Sequence, residues 1–170
     1  MILRFFLAAF AAAIFASCAG YQLGGGKPEV LSKVNRLYFP LVKNHTLFPR
    51  AEALATNTVA DVLAQDGTYL PGTSEQSDAT LLVTLSNIQY SQARSSVQDT
   101  VRSEELEMTV TLDWRVVDPM LPGDPIMDGS VEGSTRFFAG GNLQTARSTA
   151  LPDALQRAAE ELVARITTGY

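Results

Sequence analysis

The feature that most constrains the fold is a stretch over residues 105–118, in which apolar and polar side chains alternate without interruption as far as Val116. Side chains on a β-strand point alternately to the two faces of a sheet, so a period of two predicts a strand. One face of this strand is expected to be buried and the other to meet water. The apolar positions are Leu106, Met108, Val110, Leu112, Trp114 and Val116, and the polar positions are Glu105, Glu107, Thr109, Thr111, Asp113 and Arg115.

A second long strand is predicted over residues 79–94. Its apolar positions alternate as far as Leu85 and resume one residue out of step at Ile88. A β-bulge near Ser86 and Asn87 would return both groups to the same face of the sheet. The polar segment that joins this strand to residues 105–118 is too long for a tight hairpin turn.

Two weaker strands complete the predicted sheet. The first covers residues 34–39, which are rich in β-forming side chains and are followed by Pro40. The last covers about residues 126–138, after a turn rich in proline and glycine. Gly129 and Gly133 in that strand indicate a bend or a close neighbour, because glycine is otherwise unfavourable there.

Two amphipathic helices are predicted, one after the first strand and one at the end of the chain. The first runs from about Pro49 to Gln65, and the second ends near Thr168 with apolar residues at intervals of three and four. Pro152 fits the second helix if the helix begins near Thr149, whereas a start near Arg147 would imply a kink.

These elements predict an α+β fold with the order β-α-β-β-β-α. The expected architecture is a two-layer sandwich in which two helices pack on one face of a four-stranded, largely antiparallel sheet. The last three strands should form an antiparallel meander. Residues 31–170 are expected to be a single domain, and residues 18–30, with Gly24, Gly25 and Gly26, a flexible tether.

The first 17 residues have the pattern of a secretory signal peptide. Arg4 precedes the unbroken apolar run of residues 5–15, which is shorter than the ~20 residues that a membrane-spanning helix needs. Two small residues precede Cys18, the only cysteine in the chain, and this resembles a bacterial lipobox. The resemblance implies a lipid on Cys18 and, with Ala19 next to it, sorting to the outer membrane. An incidental thiol beside an ordinary cleavage site is the alternative.

Composition and motifs argue against several other classes of protein. The formal net charge of −5 gives no electrostatic reason to bind nucleic acid. His45 is the only histidine, and no Gly-x-Ser-x-Gly motif accompanies it, so we expect no enzyme. A metal site is not expected either, and no cofactor is predicted apart from the lipid on Cys18.

Taken together, three features resemble the lipopolysaccharide-assembly lipoprotein family LptE. They are Gly20-Tyr21-x-Leu23 just after the lipobox cysteine, the order of the elements, and the sequence of residues 157–163 within the final helix. The resemblance implies an outer-membrane lipoprotein that faces the periplasm and plugs the lumen of the LptD β-barrel. It also implies that the protein helps this barrel assemble and contacts lipopolysaccharide during transport to the cell surface.

The same resemblance points to basic residues that would contact lipopolysaccharide. The corresponding residues are Arg94 and Arg102, near the hairpin that joins the strands over residues 79–94 and 105–118, and Arg147, beyond the last strand. Arginine suits phosphate because its guanidinium group can donate two parallel hydrogen bonds. Ordinary solvent-exposed arginines are the alternative for each residue. A scaffold or partner-binding lipoprotein of another envelope assembly machine is the alternative for the whole chain.

Overall fold

The computed structural model describes residues 26–93, 104–139 and 141–169 of the chain. A short 3-10 turn, Glu29–Leu31, precedes the first strand. The strands and helices that follow are β1 (Arg36–Tyr38), β2 (Lys43–Asn44), α1 (Ala51–Asp66), β3 (Leu70–Pro71), β4 (Ala79–Gln92), β5 (Glu104–Asp118), β6 (Leu121–Ala139) and α2 (Leu143–Thr168).

The predicted α+β class is confirmed, but the predicted four-stranded, largely antiparallel sheet is wrong. The sheet has six strands in the order β3-β1-β4-β5-β6, with β2 paired to β4 outside this path. The short strand β1 is parallel to both β3 and β4, and β2 is parallel to β4. Strands of two residues, such as β2 and β3, show no alternation, because they are defined only by their backbone partners in space.

The meander of β4, β5 and β6 is antiparallel, as the sequence predicts. The register of β4 against β5 shifts between Leu85 and Asn87, which confirms the predicted bulge. In β5 the predicted apolar face is buried from Met108 to Val116. Long-range strand pairing therefore follows the hydrophobic pattern wherever the pattern extends over several residues.

The last strand, β6, starts earlier than predicted, at Leu121 in place of about Ile126. The reversal from β5 is confined to Pro119 and Met120, and Asp118 pairs directly with Leu121. Two prolines, Pro122 and Pro125, then lie inside the strand. Proline is tolerated there because β6 forms the edge of the sheet, where one side of the backbone has no ladder to complete.

Both helices pack on the apolar face of the sheet, and α2 approaches β6 closely at Gly133. A methyl group added at Gly133 would collide with the backbone of Ala154 and Ala158 in α2. Elsewhere in β6, the ring of Trp114 covers Gly129, with Cζ2 only 3.0 Å from the position of an added Cβ. The two glycines of this strand thus admit a helix backbone and an indole ring, which accounts for their positions in a strand.

The helix boundaries differ from the predicted ones at the N-terminal ends. Helix α1 begins at Ala51, after Arg50 adopts a left-handed conformation with φ of 61°. Helix α2 begins at Leu143, earlier than either predicted start, with the Asn142 side chain accepting a hydrogen bond from the Thr145 amide. Pro152 therefore lies in the helix interior. Because proline has no backbone N–H, the Ser148 carbonyl, four residues earlier, lacks its helical hydrogen-bond donor.

The C-terminal end of α2 lies beside the start of the described chain. The buried hydroxyl of Tyr69 donates a hydrogen bond of 2.7 Å to the Ile166 carbonyl. Lys27 lies 4.8 Å from the centre of the Tyr69 ring and donates to the Val34 carbonyl. Pro28 lies beside Gly169, where α2 ends. Within the described residues, no helix combines the length and the apolar composition of a membrane-spanning segment.

Candidate functional site

A cleft of about 770 Å³ lies at the other end of the domain, near the start of α2. The loop before α1 forms one wall, the end of β4 forms the floor, and the first turns of α2 form the other wall. Its lining combines one guanidinium group, hydroxyl and amide groups, and apolar side chains. The lining residues are His45, Thr46, Leu47, Phe48, Pro49, Ser86, Asn87, Ile88, Tyr90, Gln144, Arg147 and Ser148.

Arg147 supplies the one arginine or lysine side chain of this lining. Its guanidinium carbon lies 4.2 Å from the centre of the Tyr90 ring, which is the geometry of a cation–π contact. The Nε atom of Arg147 is buried and has no hydrogen-bond partner among the described residues. A buried donor without a partner is unfavourable, so this site favours a ligand or solvent molecule that can accept a hydrogen bond.

Tyr90 reaches the cleft because of the bulge in β4. The extra residue between Leu85 and Asn87 reverses the alternation, so that Tyr90 lies on the helix-covered face of the sheet. The ring of Tyr90 also meets the ring of Phe137 edge to face, with 6.5 Å between the two centres. Burial raises the pKa of Tyr90, and the neighbouring charge of Arg147 opposes this rise. The ring is thus a neutral aromatic surface at physiological pH.

The opposite wall of the cleft is a loop organised by Asn44. The side-chain amide of Asn44 donates to the Phe48 carbonyl and to Glu52. Its side-chain oxygen accepts from both the amide and the hydroxyl of Thr46. The Phe48 amide in turn donates a hydrogen bond to the Thr46 hydroxyl. These bonds fix residues 44–48 in a defined shape, so this wall of the cleft is preformed.

Charge and backbone strain also distinguish this loop. The pKa of Glu52 is lowered, first by its own backbone amide and then by the Asn44 side chain, so the carboxylate stays charged. Arg50 is the only non-glycine residue with positive φ among the described residues. The left-handed region costs an arginine roughly 1–2 kcal/mol, and such strain is often found at functional sites.

The described residues around His45 do not include the acid that a hydrolytic triad needs. The cleft offers the hydroxyls of Thr46, Ser86 and Ser148, but no carboxylate is among the residues that line it. The Thr46 hydroxyl already donates to Asn44. Among the described residues, no group of three or more His, Cys, Asp and Glu side chains could hold a metal ion. Arg147, with the hydroxyl and amide groups around it, can bind an anionic group and its polar neighbours.

The structure brings one of the predicted site residues into this cleft, namely Arg147. Cys18, Arg94 and Arg102 lie outside the described residues. The sequence predicts Tyr90 only as an apolar position of a strand, and its contact with Arg147 was missed. The predicted bulge carried the relevant signal, because it turns Tyr90 toward the side where the helices pack.

The fold defines a class of α+β domains that includes bacterial lipoproteins. A minor lipoprotein of Acinetobacter baumannii is similar with a TM-score of 0.54 and 10% identity, covering 79% of this chain and 94% of that one. A hypothetical protein of Chlamydia trachomatis gives a TM-score of 0.56 and 11% identity, with 78% and 95% covered. At these identities the likeness concerns the fold alone. Among curated proteins, none matches this chain in sequence.

The family follows from a comparison with family models. The model for the lipopolysaccharide-assembly family LptE matches residues 34–166, which run from before β1 almost to the end of α2. The chain belongs to this family, and it is a lipopolysaccharide-assembly lipoprotein of the kind found in the outer membrane. The resemblance inferred from the sequence is thereby confirmed.

Proposed function

We propose that the protein is anchored to the outer membrane by a lipid on Cys18 and plugs an LptD-like β-barrel. In this position, facing the periplasm and inside the barrel lumen, it assists barrel assembly and the transport of lipopolysaccharide to the cell surface. The family match over residues 34–166 carries the proposal. The guanidinium group of Arg147, in a cleft where its Nε has no described partner, supports the contact with lipopolysaccharide.

The chemistry of the cleft matches an anionic, sugar-containing ligand. Lipopolysaccharide carries phosphates, and Arg147 offers a permanent positive charge with several donors. Hydroxyl and amide groups of Thr46, Asn87 and Gln144 lie around it and can bond to sugar hydroxyls. Arg94 and Arg102 belong to the same proposal as further basic contacts, from the segment between β4 and β5.

The uncovered face of the sheet is the proposed surface toward the barrel. It is polar along most of β5 and β6, apart from the exposed Phe138, and it carries an ion pair of 3.8 Å between Arg136 and Glu107. Thr109 and Thr111 lie between the charged positions of β5. Barrel interiors in the outer membrane are polar, so the polar groups of this surface can find partners on the wall of the lumen.

A charge-reversal variant tests the lipopolysaccharide site. We expect Arg102→Glu combined with Arg147→Glu to weaken binding of purified lipopolysaccharide by at least about tenfold, because charge-assisted hydrogen bonds are replaced by repulsion. Circular dichroism should show an unchanged fold. The matched control is Arg157→Glu, an exposed arginine of the same helix, which should bind normally. Unchanged binding by the folded double variant would refute the assignment.

Purification from detergent-solubilised outer membrane tests the partner. A large β-barrel should co-purify with the wild-type chain, and mass spectrometry of the N-terminal peptide should find acyl chains on Cys18. A photo-crosslinker at Thr109 on the uncovered face should capture the barrel. A crosslinker at exposed Asp153 on the outward side of α2 serves as the comparison. A chain that carries no lipid and elutes without a barrel would contradict the proposal. A lipidated chain that elutes without a barrel would instead favour a scaffold or partner-binding lipoprotein of another envelope assembly machine.

A further inference from the structure

The contact between Arg147 and Tyr90 gives the aromatic ring a role of its own. An arginine side chain has many rotamers, and holding it in one of them costs up to ~2 kcal/mol of conformational entropy. The Tyr90 ring lies 4.2 Å from the guanidinium carbon and can offset part of this cost before a ligand arrives. Among the described residues, no carboxylate forms an ion pair with Arg147, so its charge stays available.

The ring itself is held in place by the sheet. Tyr90 pairs with Met108 of β5, which is fully buried. Phe137 of β6 packs edge to face against the Tyr90 ring, with an interplanar angle of 78°. The bulge at Leu85 and Asn87 gives Tyr90 this orientation. Three strands thus define the position of one ring, and α2 brings Arg147 onto it.

We propose that Tyr90 is a positioning residue for Arg147, and that it sets the affinity of the cleft for the anionic group of lipopolysaccharide without contacting that group. This inference rests on the proposed function of the cleft. The ring acts through its π face, so the hydroxyl group is dispensable. Preorganising the guanidinium group lowers the entropy that binding must remove, and this raises affinity without a new contact to the ligand.

A double-mutant cycle tests the inference with the full-length lipidated protein and purified lipopolysaccharide. Tyr90→Leu should weaken binding about fivefold, the equivalent of one cation–π contact, whereas Tyr90→Phe should stay within about twofold of wild type. In the Arg147→Gln background, Tyr90→Leu should have no further effect. An equal loss in both backgrounds would overturn the inference, because the ring would then act on the ligand or on the fold directly.

A spectroscopic measurement follows the guanidinium group itself. In the wild type, the Nε proton of Arg147 should show an upfield ring-current shift in NMR spectra, which Tyr90→Phe keeps and Tyr90→Leu removes. A shift that survives Tyr90→Leu would overturn the inference. The two proposals fail in different ways. If Arg147→Gln weakens binding but Tyr90→Leu does not, only the positioning role is refuted; if Arg147→Gln leaves binding unchanged, the lipopolysaccharide site itself is refuted.

Discussion

The two ends of α2 differ in how completely their polar groups are paired. At the C-terminal end, the Tyr69 hydroxyl bonds to Ile166, and Lys27 bonds to Val34. Asp78 accepts hydrogen bonds there from the amides of Arg36 and Asn35, and these two bonds, first that of Arg36, lower the pKa of Asp78. This end, beside Lys27 at the start of the described chain, is a closed structure.

The N-terminal end of α2, about 38 Å away along the helix axis, is open by comparison. Arg147 keeps a buried Nε without a described partner, and Arg50 holds a strained backbone conformation across the cleft. Pro152 leaves the Ser148 carbonyl without its helical amide partner. Unpaired polar groups and backbone strain both lower the stability of a protein. Their concentration at this end of α2 is expected of a binding site.

The largest predicted effect comes from Gly133, because the helix that joins the two ends rests directly on this residue. Gly133→Ala should lower the free energy of unfolding by about 3 kcal/mol, since the new methyl group overlaps helix backbone that cannot rotate away. Chemical denaturation provides the measurement. The control is Gly123→Ala in the same strand, where an added Cβ meets nothing within 4 Å. Equal stability of the two variants would contradict the close packing.

The closed end is tested by Tyr69→Phe. Removing the hydroxyl leaves the Ile166 carbonyl without this donor, and we expect a loss of about 1–2 kcal/mol in the free energy of unfolding. Binding of lipopolysaccharide should not change, because Tyr69 is far from the cleft. Tyr38→Phe, at a half-buried tyrosine in β1, is the control and should cost less. If Tyr69→Phe kept its stability but lost lipopolysaccharide binding, the assignment of stability to this end and of binding to the other end would be wrong.

Alkaline pH should reduce the contribution of Tyr69 to the free energy of unfolding. Burial, with a smaller contribution from Asp66, raises the pKa of Tyr69 from 10.0 to about 12. Between these values the unfolded chain releases the proton and the folded chain retains it, so stability falls as the pH rises. The stability advantage of wild type over Tyr69→Phe should therefore shrink from about pH 10 to about pH 12. Denaturation curves at several pH values would show it, and a constant difference would contradict it.

Local sequence patterns predict those parts of the fold that extend over many residues. The alternation in β5 and the change of step at Ser86 are sufficient to predict the meander and its bulge. The strands β2 and β3 were missed because each has only two residues and exists through its partners. The predicted start of α2 was wrong because an interior proline disfavours a helix, whereas the Asn142 cap and packing on the sheet compensate for Pro152.

The candidate site is predictable only in part for a similar reason. Arg147 was identified through the resemblance to the LptE family, and the structure places it in a cleft. Its partner Tyr90 lies 57 positions earlier in the chain, and no local pattern links the two residues. Nor does the sequence indicate the left-handed Arg50, because helix entrances usually carry a capping side chain and this one has none.

The smallest predicted effect concerns the strain at the open end. Arg50→Gly should raise the free energy of unfolding by about 0.5–1 kcal/mol relative to Arg50→Ala, because glycine adopts positive φ without a Cβ clash. Comparing glycine with alanine removes the arginine side chain in both variants, so only the backbone term differs. Chemical denaturation of the two variants measures it. If alanine proved as stable as glycine, the backbone at residue 50 would not be strained, and the contrast between the two ends would rest on Arg147 and the Ser148 carbonyl.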